Sequence, residues 1–70
     1  METLKINGQD RQFPQGKLPA TLANLLAELG IDEATVVAEI DGAIVERKNF
    51  GQAALRQGQR IELVRFVGGG

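Results

Sequence analysis

The most reactive stretch of this sequence carries no side chains at all. Gly68, Gly69 and Gly70 follow the apolar run Ile61-Glu62-Leu63-Val64-Arg65-Phe66-Val67, and a chain ending there offers a free α-carboxylate on a bare backbone. Glycine loses more backbone entropy on ordering than any other residue and packs nothing, so three in a row stabilise no fold. What they supply is a thin thread that a folded platform can hold out, with the Gly70 carboxylate as the group on which chemistry happens. The rest of the composition leaves few rivals. There is no cysteine and no histidine, which removes thiol nucleophiles, disulfides, thiolate metal sites and the side chain that titrates nearest neutral pH. The chain is therefore expected not to be an enzyme in its own right. Glu28, Asp32 and Glu33 cluster in sequence, but no calcium-loop pattern surrounds them, and they are expected to face solvent without binding metal.

The platform has to come from seventy residues, one domain's worth. Leu4 and Ile6 alternate with Thr3 and Lys5, a first strand over residues 2 to 6. Asn7-Gly8 favours a tight hairpin, since both central residues of a type I′ turn need positive φ. Asp10 to Pro14 returns as a second strand with Phe13 pointing inward. After a loop over Gln15 to Pro19 the period changes: Leu22, Leu25, Leu26 and Leu29 form one stripe of an α-helix, started near Thr21 and stopped by Gly30. Val36 to Ile40 reads as a third strand with Val36, Ala38 and Ile40 inward and Val37 and Glu39 outward. Asp41-Gly42 is a second hairpin signal before a brief fourth strand, Ala43 to Glu46. Arg47 to Leu55 reads as a short helical or 3₁₀ turn in which Phe50 and Leu55 anchor a loop under the sheet. Gln57-Gly58-Gln59 turns into the last strand, where Ile61, Leu63 and Val67 are set against Glu62 and Arg65 in the rhythm of a half-buried strand.

Eight basic residues against nine acidic ones give a net charge of −1, so nothing draws the chain to nucleic acid or to an anionic membrane. Its three aromatics, Phe13, Phe50 and Phe66, lie outside any basic stripe, which argues against base stacking. No apolar run approaches the ~20 residues of a membrane span. Met1 leads straight into strand-like sequence without an export signal, so the expectation is a cytoplasmic protein, monomeric on its own. Within the last strand, Val64 and Phe66 should face away from Ile61 and Leu63. With outward Val37 they are expected to form an apolar docking patch beside the tail, where exposed apolar surface often meets a partner.

The element order, strand, strand, helix, strand, strand, irregular, strand, resembles the β-grasp arrangement. That implies an α+β fold in which a mixed five-stranded sheet curls around one helix, with the first and last strands parallel at its centre. Joined to the Gly-Gly-Gly end, the chain resembles the ubiquitin-like sulfur carriers, and most of all the thiamine-biosynthesis family ThiS. The resemblance spans nearly the whole chain. It is carried by residues 1 to 8, the helix from Thr21 to Gly30, Val37-Ala38-Glu39-Ile40-Asp41-Gly42 with Val45 and Arg47, and residues 58 to 70. Asp41-Gly42 departs from the family's usual Asn-Gly, Glu46 from a frequent proline, and Gln59 from a frequent aspartate. Each replacement suits the same backbone role. The division that follows is a β-grasp domain over 1 to 67 and a flexible glycine tail over 68 to 70.

The resemblance implies a carrier with no bound cofactor. ATP is used by an E1-like adenylyltransferase of the ThiF type, which would activate the Gly70 carboxylate. A persulfide donor would convert it to a thiocarboxylate, and a thiazole synthase of the ThiG type would take the sulfur. Gly68 and Gly69, lacking Cβ atoms, would thread the partner's narrow channel. Sulfur carried on a backbone terminus accounts for a sulfur carrier without cysteine. Three other readings stand beside this one: a molybdopterin-type carrier, a ubiquitin-like protein modifier, and a plain β-grasp interaction module with an inert tail.

Overall fold

Alternation of side chains starts at once, with β1 over Glu2–Ile6 and β2 over Gln9–Phe13. The two are antiparallel and turn through Asn7 and Gly8, whose φ angles of 50° and 81° are the two positive values a type I′ turn demands. Leu4 and Phe13 go inward, while Lys5 and Asp10 meet across the outer face at 3.2 Å. The computed structural model describes residues 1–66; the expected places of Val67 in the last strand and of Gly68, Gly69 and Gly70 as a tail lie outside the described residues.

Helix α1 runs over Leu22–Leu29. The Thr21 hydroxyl oxygen accepts from the Asn24 N–H, and Gly30 closes the helix in the left-handed conformation at φ 72°. Ile31 N–H then donates back to the Leu26 carbonyl at 2.9 Å. Leu22, Leu25 and Leu26 are fully buried, each such burial contributing roughly 1.5 to 3 kcal/mol. Leu29 is only partly buried, because it borders a shallow hollow shared with Ile6, Asn7 and Gln9.

A 3₁₀ turn at Glu33–Thr35, capped by the Asp32 carboxylate accepting from Ala34 N–H at 2.8 Å, leads into β3 at Val36–Ile40. Asp41-Gly42, at φ 51° and 86°, repeats the geometry of the first hairpin and delivers β4 at Ala43–Val45. A second 3₁₀ turn, Arg47–Asn49, opens the irregular stretch. Phe50 and Leu55 are buried in the core. Backbone bonds show what else this stretch does: Phe50 and Ala53 carbonyls accept from Ala23 and Leu22 N–H, and Leu55 N–H donates to Ala20. The loop thus satisfies the first donors of α1, which have no partner within the helix.

Strand β5, Arg60–Arg65, completes a sheet ordered β2-β1-β5-β3-β4. It is parallel to β1 and antiparallel to β3. The helix covers one face, and Leu4, Leu26, Ala38 and Ile61 meet there with no exposed surface. This is the α+β β-grasp fold that the element order implied.

Candidate functional site at the exit of the central strand

Strand β5 carries the chain out of the core toward the glycines, and its two faces are sharply different. Ile61 and Leu63 are buried; Glu62 and Val64 are exposed on the outer face. Arg65 falls in register opposite buried Val36, on the inward row, yet is exposed. Among the described residues Arg65 makes no ion pair, and its exposed side chain keeps the charge in water.

The three residues expected to form an apolar patch lie side by side. Val37 and Val64 are directly opposite one another across β3 and β5, and Phe66 follows on the same face, its N–H donating to the Thr35 carbonyl at 2.9 Å. Their exposures are 44%, 61% and 44%, so more than half of Phe66 is already covered by the fold. The structure adds Ile44, 69% exposed and paired with Glu39 on the same outer face. Alternation over a three-residue strand gives too few positions to assign its face, which is why the sequence did not reveal it. Acidic groups border this surface. Glu39 and Glu62 are directly opposite two positions along the ladder, on the same outer face, whereas Glu46, after β4, is ion-paired with Lys48 at 3.3 Å. An apolar centre with an acidic margin suits a partner with an apolar knob and basic surroundings.

Three further side chains act on the strand and were not singled out from the sequence. Asp41 Oδ1 accepts from Arg60 N–H at 2.9 Å, near the start of β5, and Asn7 Oδ1 accepts from Leu63 N–H at 2.7 Å, near its end. The two Asx-Gly turns therefore supply side chains to the central strand as well as reversing the chain. Arg47 donates from Nε to the Glu33 carbonyl at 3.1 Å and from Nη2 to the Ala34 carbonyl at 3.2 Å. It steadies the turn whose Thr35 carbonyl holds Phe66. Asn-Gly and Asp-Gly were visible as turn signals, but a contact across 56 residues leaves no local trace.

Gly68, Gly69 and Gly70 lie outside the described residues, and the chemistry assigned to Gly70 comes from the sequence alone. Among the described residues no group of three acidic, histidine or cysteine side chains could hold a metal ion. No helix among them is long and apolar enough to cross a membrane.

Comparison with known proteins decides the family. The model of the ThiS family matches residues 4–70. This chain belongs to the ThiS family. Over 67 residues it is 31% identical to the sulfur carrier protein ThiS of Bacillus subtilis (strain 168), covering 96% of this chain and 98% of that one. The crystal structure of the thiamine biosynthesis protein ThiS from Geobacter metallireducens superposes with a TM-score of 0.79 at 29% identity, covering 97% of this chain and 99% of that one. The same stretch is also similar to part of larger proteins: it is 39% identical to a thiazole synthase of Paramagnetospirillum magneticum, with 96% of this ThiS-family chain matched. The chain spans 20% of the length of that protein, and the same share of a thiazole synthase from Magnetococcus marinus at 34% identity.

Proposed function

We propose that this chain carries sulfur as a C-terminal thiocarboxylate on Gly70 and delivers it for formation of the thiamine thiazole ring. One observation carries the reading: a stretch like nearly the whole of this chain recurs inside proteins named thiazole synthase. A carrier-like segment and a synthase joined in one chain are most useful when they serve one step. That likeness favours thiazole over molybdopterin as the destination.

The chemistry follows from the terminus. A carboxylate resists nucleophiles because it is negatively charged and has no adequate leaving group. An E1-like adenylyltransferase of the ThiF type would use ATP to form the Gly70 acyl adenylate and release pyrophosphate. The terminal sulfur of a persulfide donor then displaces AMP, giving an acyl disulfide. A thiol cleaves its S–S bond, leaving the thiocarboxylate on Gly70 and a new disulfide on the donor side. A thiazole synthase of the ThiG type accepts that sulfur. In this scheme the chain is a co-substrate, and Gly68 and Gly69 are the part that passes through the partner's channel.

Val37, Val64 and Phe66, extended by Ile44, form the surface that docks on the activating enzyme. Their position favours this role, since Phe66 lies four residues from Gly70. The test is intact-mass analysis of the chain incubated with activating enzyme, ATP and a persulfide donor. An oxygen-for-sulfur exchange localised to Gly70 is the expected result. Conjugates to other proteins would support the modifier reading, and an unaltered mass would refute carriage.

A further inference from the structure

We propose that Arg47 is a positioning residue for the docking surface, holding Phe66 in the place where the activating enzyme meets it; this rests on the docking role proposed above. The turn Glu33–Thr35 offers three successive carbonyls, and each accepts from a different donor group. Arg47 Nε donates to Glu33 at 3.1 Å, its Nη2 to Ala34 at 3.2 Å, and Phe66 N–H to Thr35 at 2.9 Å. The donors of a guanidinium are fixed in one plane, so a single side chain sets the tilt of two neighbouring peptide groups. The third carbonyl of the turn is thereby aimed as well, and Phe66 is bonded to it.

Phe66 needs this help where its neighbours do not. Val37 and Val64 face one another within the β3–β5 ladder, whose last pair is Val36 with Arg65. Phe66 lies one residue past that pair, beyond the end of β5. Among the described residues, the Thr35 carbonyl is the backbone hold on it there. Arg47 itself follows β4 and reaches 13 and 14 residues back to the turn before β3, through bonds made at the exposed surface. Releasing it takes nothing from the core, so the domain stays folded while the turn and Phe66 gain freedom. A partner must then order Phe66 as it binds, which lowers affinity roughly 2- to 10-fold.

Two substitutions separate the fork from the charge. Arg47→Gln removes both, whereas Arg47→Lys keeps the charge as a point donor on a flexible stem. Amide exchange at Phe66 should quicken about 5-fold in R47Q, while exchange at Leu63, bonded to Asn7, stays at the wild-type rate. Calorimetric titration of the full-length chain with its activating enzyme, run well below every melting temperature, should show Kd raised roughly 5-fold in R47Q and nearly as much in R47K. The deciding measurement repeats R47Q in a Phe66→Ala background, which removes a side chain outside the core. If Arg47 acts through Phe66, its loss should there cost less than about 2-fold. A wild-type Kd in R47Q, an R47K that binds as tightly as wild type, or an equal loss with and without the Phe66 ring would overturn the inference while the docking surface still stood. Phe66→Ala binding as tightly as wild type, or a wild-type chain that the activating enzyme does not bind, would overturn the docking role and this inference with it.

Discussion

Replacing Val64 by threonine should weaken binding to the activating enzyme while leaving the free domain nearly as stable as before. Val64 is 61% exposed in the outer face of β5, directly opposite Val37. Threonine keeps the branched Cβ that suits a strand, and in the free carrier its hydroxyl is hydrated. Stability should therefore change by no more than about 0.5 kcal/mol, as for most surface substitutions. Docking changes the balance. Burial under a partner forfeits one methyl, about 0.8 kcal/mol, and dehydrates a hydroxyl that an apolar knob cannot satisfy, about 1 to 3 kcal/mol. Together these amount to between about 2 and 4 kcal/mol, a roughly 30-fold or greater rise in Kd. Calorimetric titration of the activating enzyme with V64T and wild type, beside thermal melts of both, measures the two effects separately. Val37→Thr should behave alike, and the double variant should lose less than the sum, because facing threonines can hydrogen-bond across the strands. An unchanged Kd in both single variants, with unchanged melting, would refute the docking surface. A shift in melting comparable to the shift in Kd would place the residues in the fold and not in the interface.

Deleting Gly70 should abolish oxygen-for-sulfur exchange in intact mass while leaving the melting temperature unchanged, since the core described for the domain is built from residues 4 to 63; retained exchange would remove Gly70 from the mechanism. Leu26→Ala empties a site with no exposed surface and should cost about 2 to 5 kcal/mol, lowering the melting temperature by roughly 10 °C or more. Glu62→Lys replaces a like-charge pair opposite Glu39 with an attractive one and should add about 0.2 to 1 kcal/mol in low salt, measured by urea unfolding. That gain should shrink toward zero at ~1 M salt, where exposed charges are screened within a few ångströms.

What could be read from the residues was whatever one element states about itself. The leucine stripe of α1, the alternation of Leu4 and Ile6, and the two Asx-Gly turns each encode a local geometry, and each formed where the pattern placed it. Boundaries moved by a residue: β2 runs from Gln9 to Phe13 and β4 stops at Val45. The parallel pairing of β1 with β5 came by likeness to a fold, because no period in either strand names its neighbour. The reach of Arg47 to carbonyls 13 and 14 residues back, and of Asn7 to Leu63, was invisible for the same reason. Ile44 was missed because three alternating positions cannot separate an inner from an outer face. The outward placement of Val37 and Val64 was legible, because both belong to longer strands whose buried neighbours fix the outward row.

Strand β5 is made last of the five and belongs in the middle of the sheet. While a ribosome is still reading the codons for residues 60 to 65, both hairpins and the helix have been synthesised without the piece that joins them. Neither half can mature early. A polypeptide cut short before that point has no route to the native state and would be left to proteases, so partners are spared competition from incomplete copies.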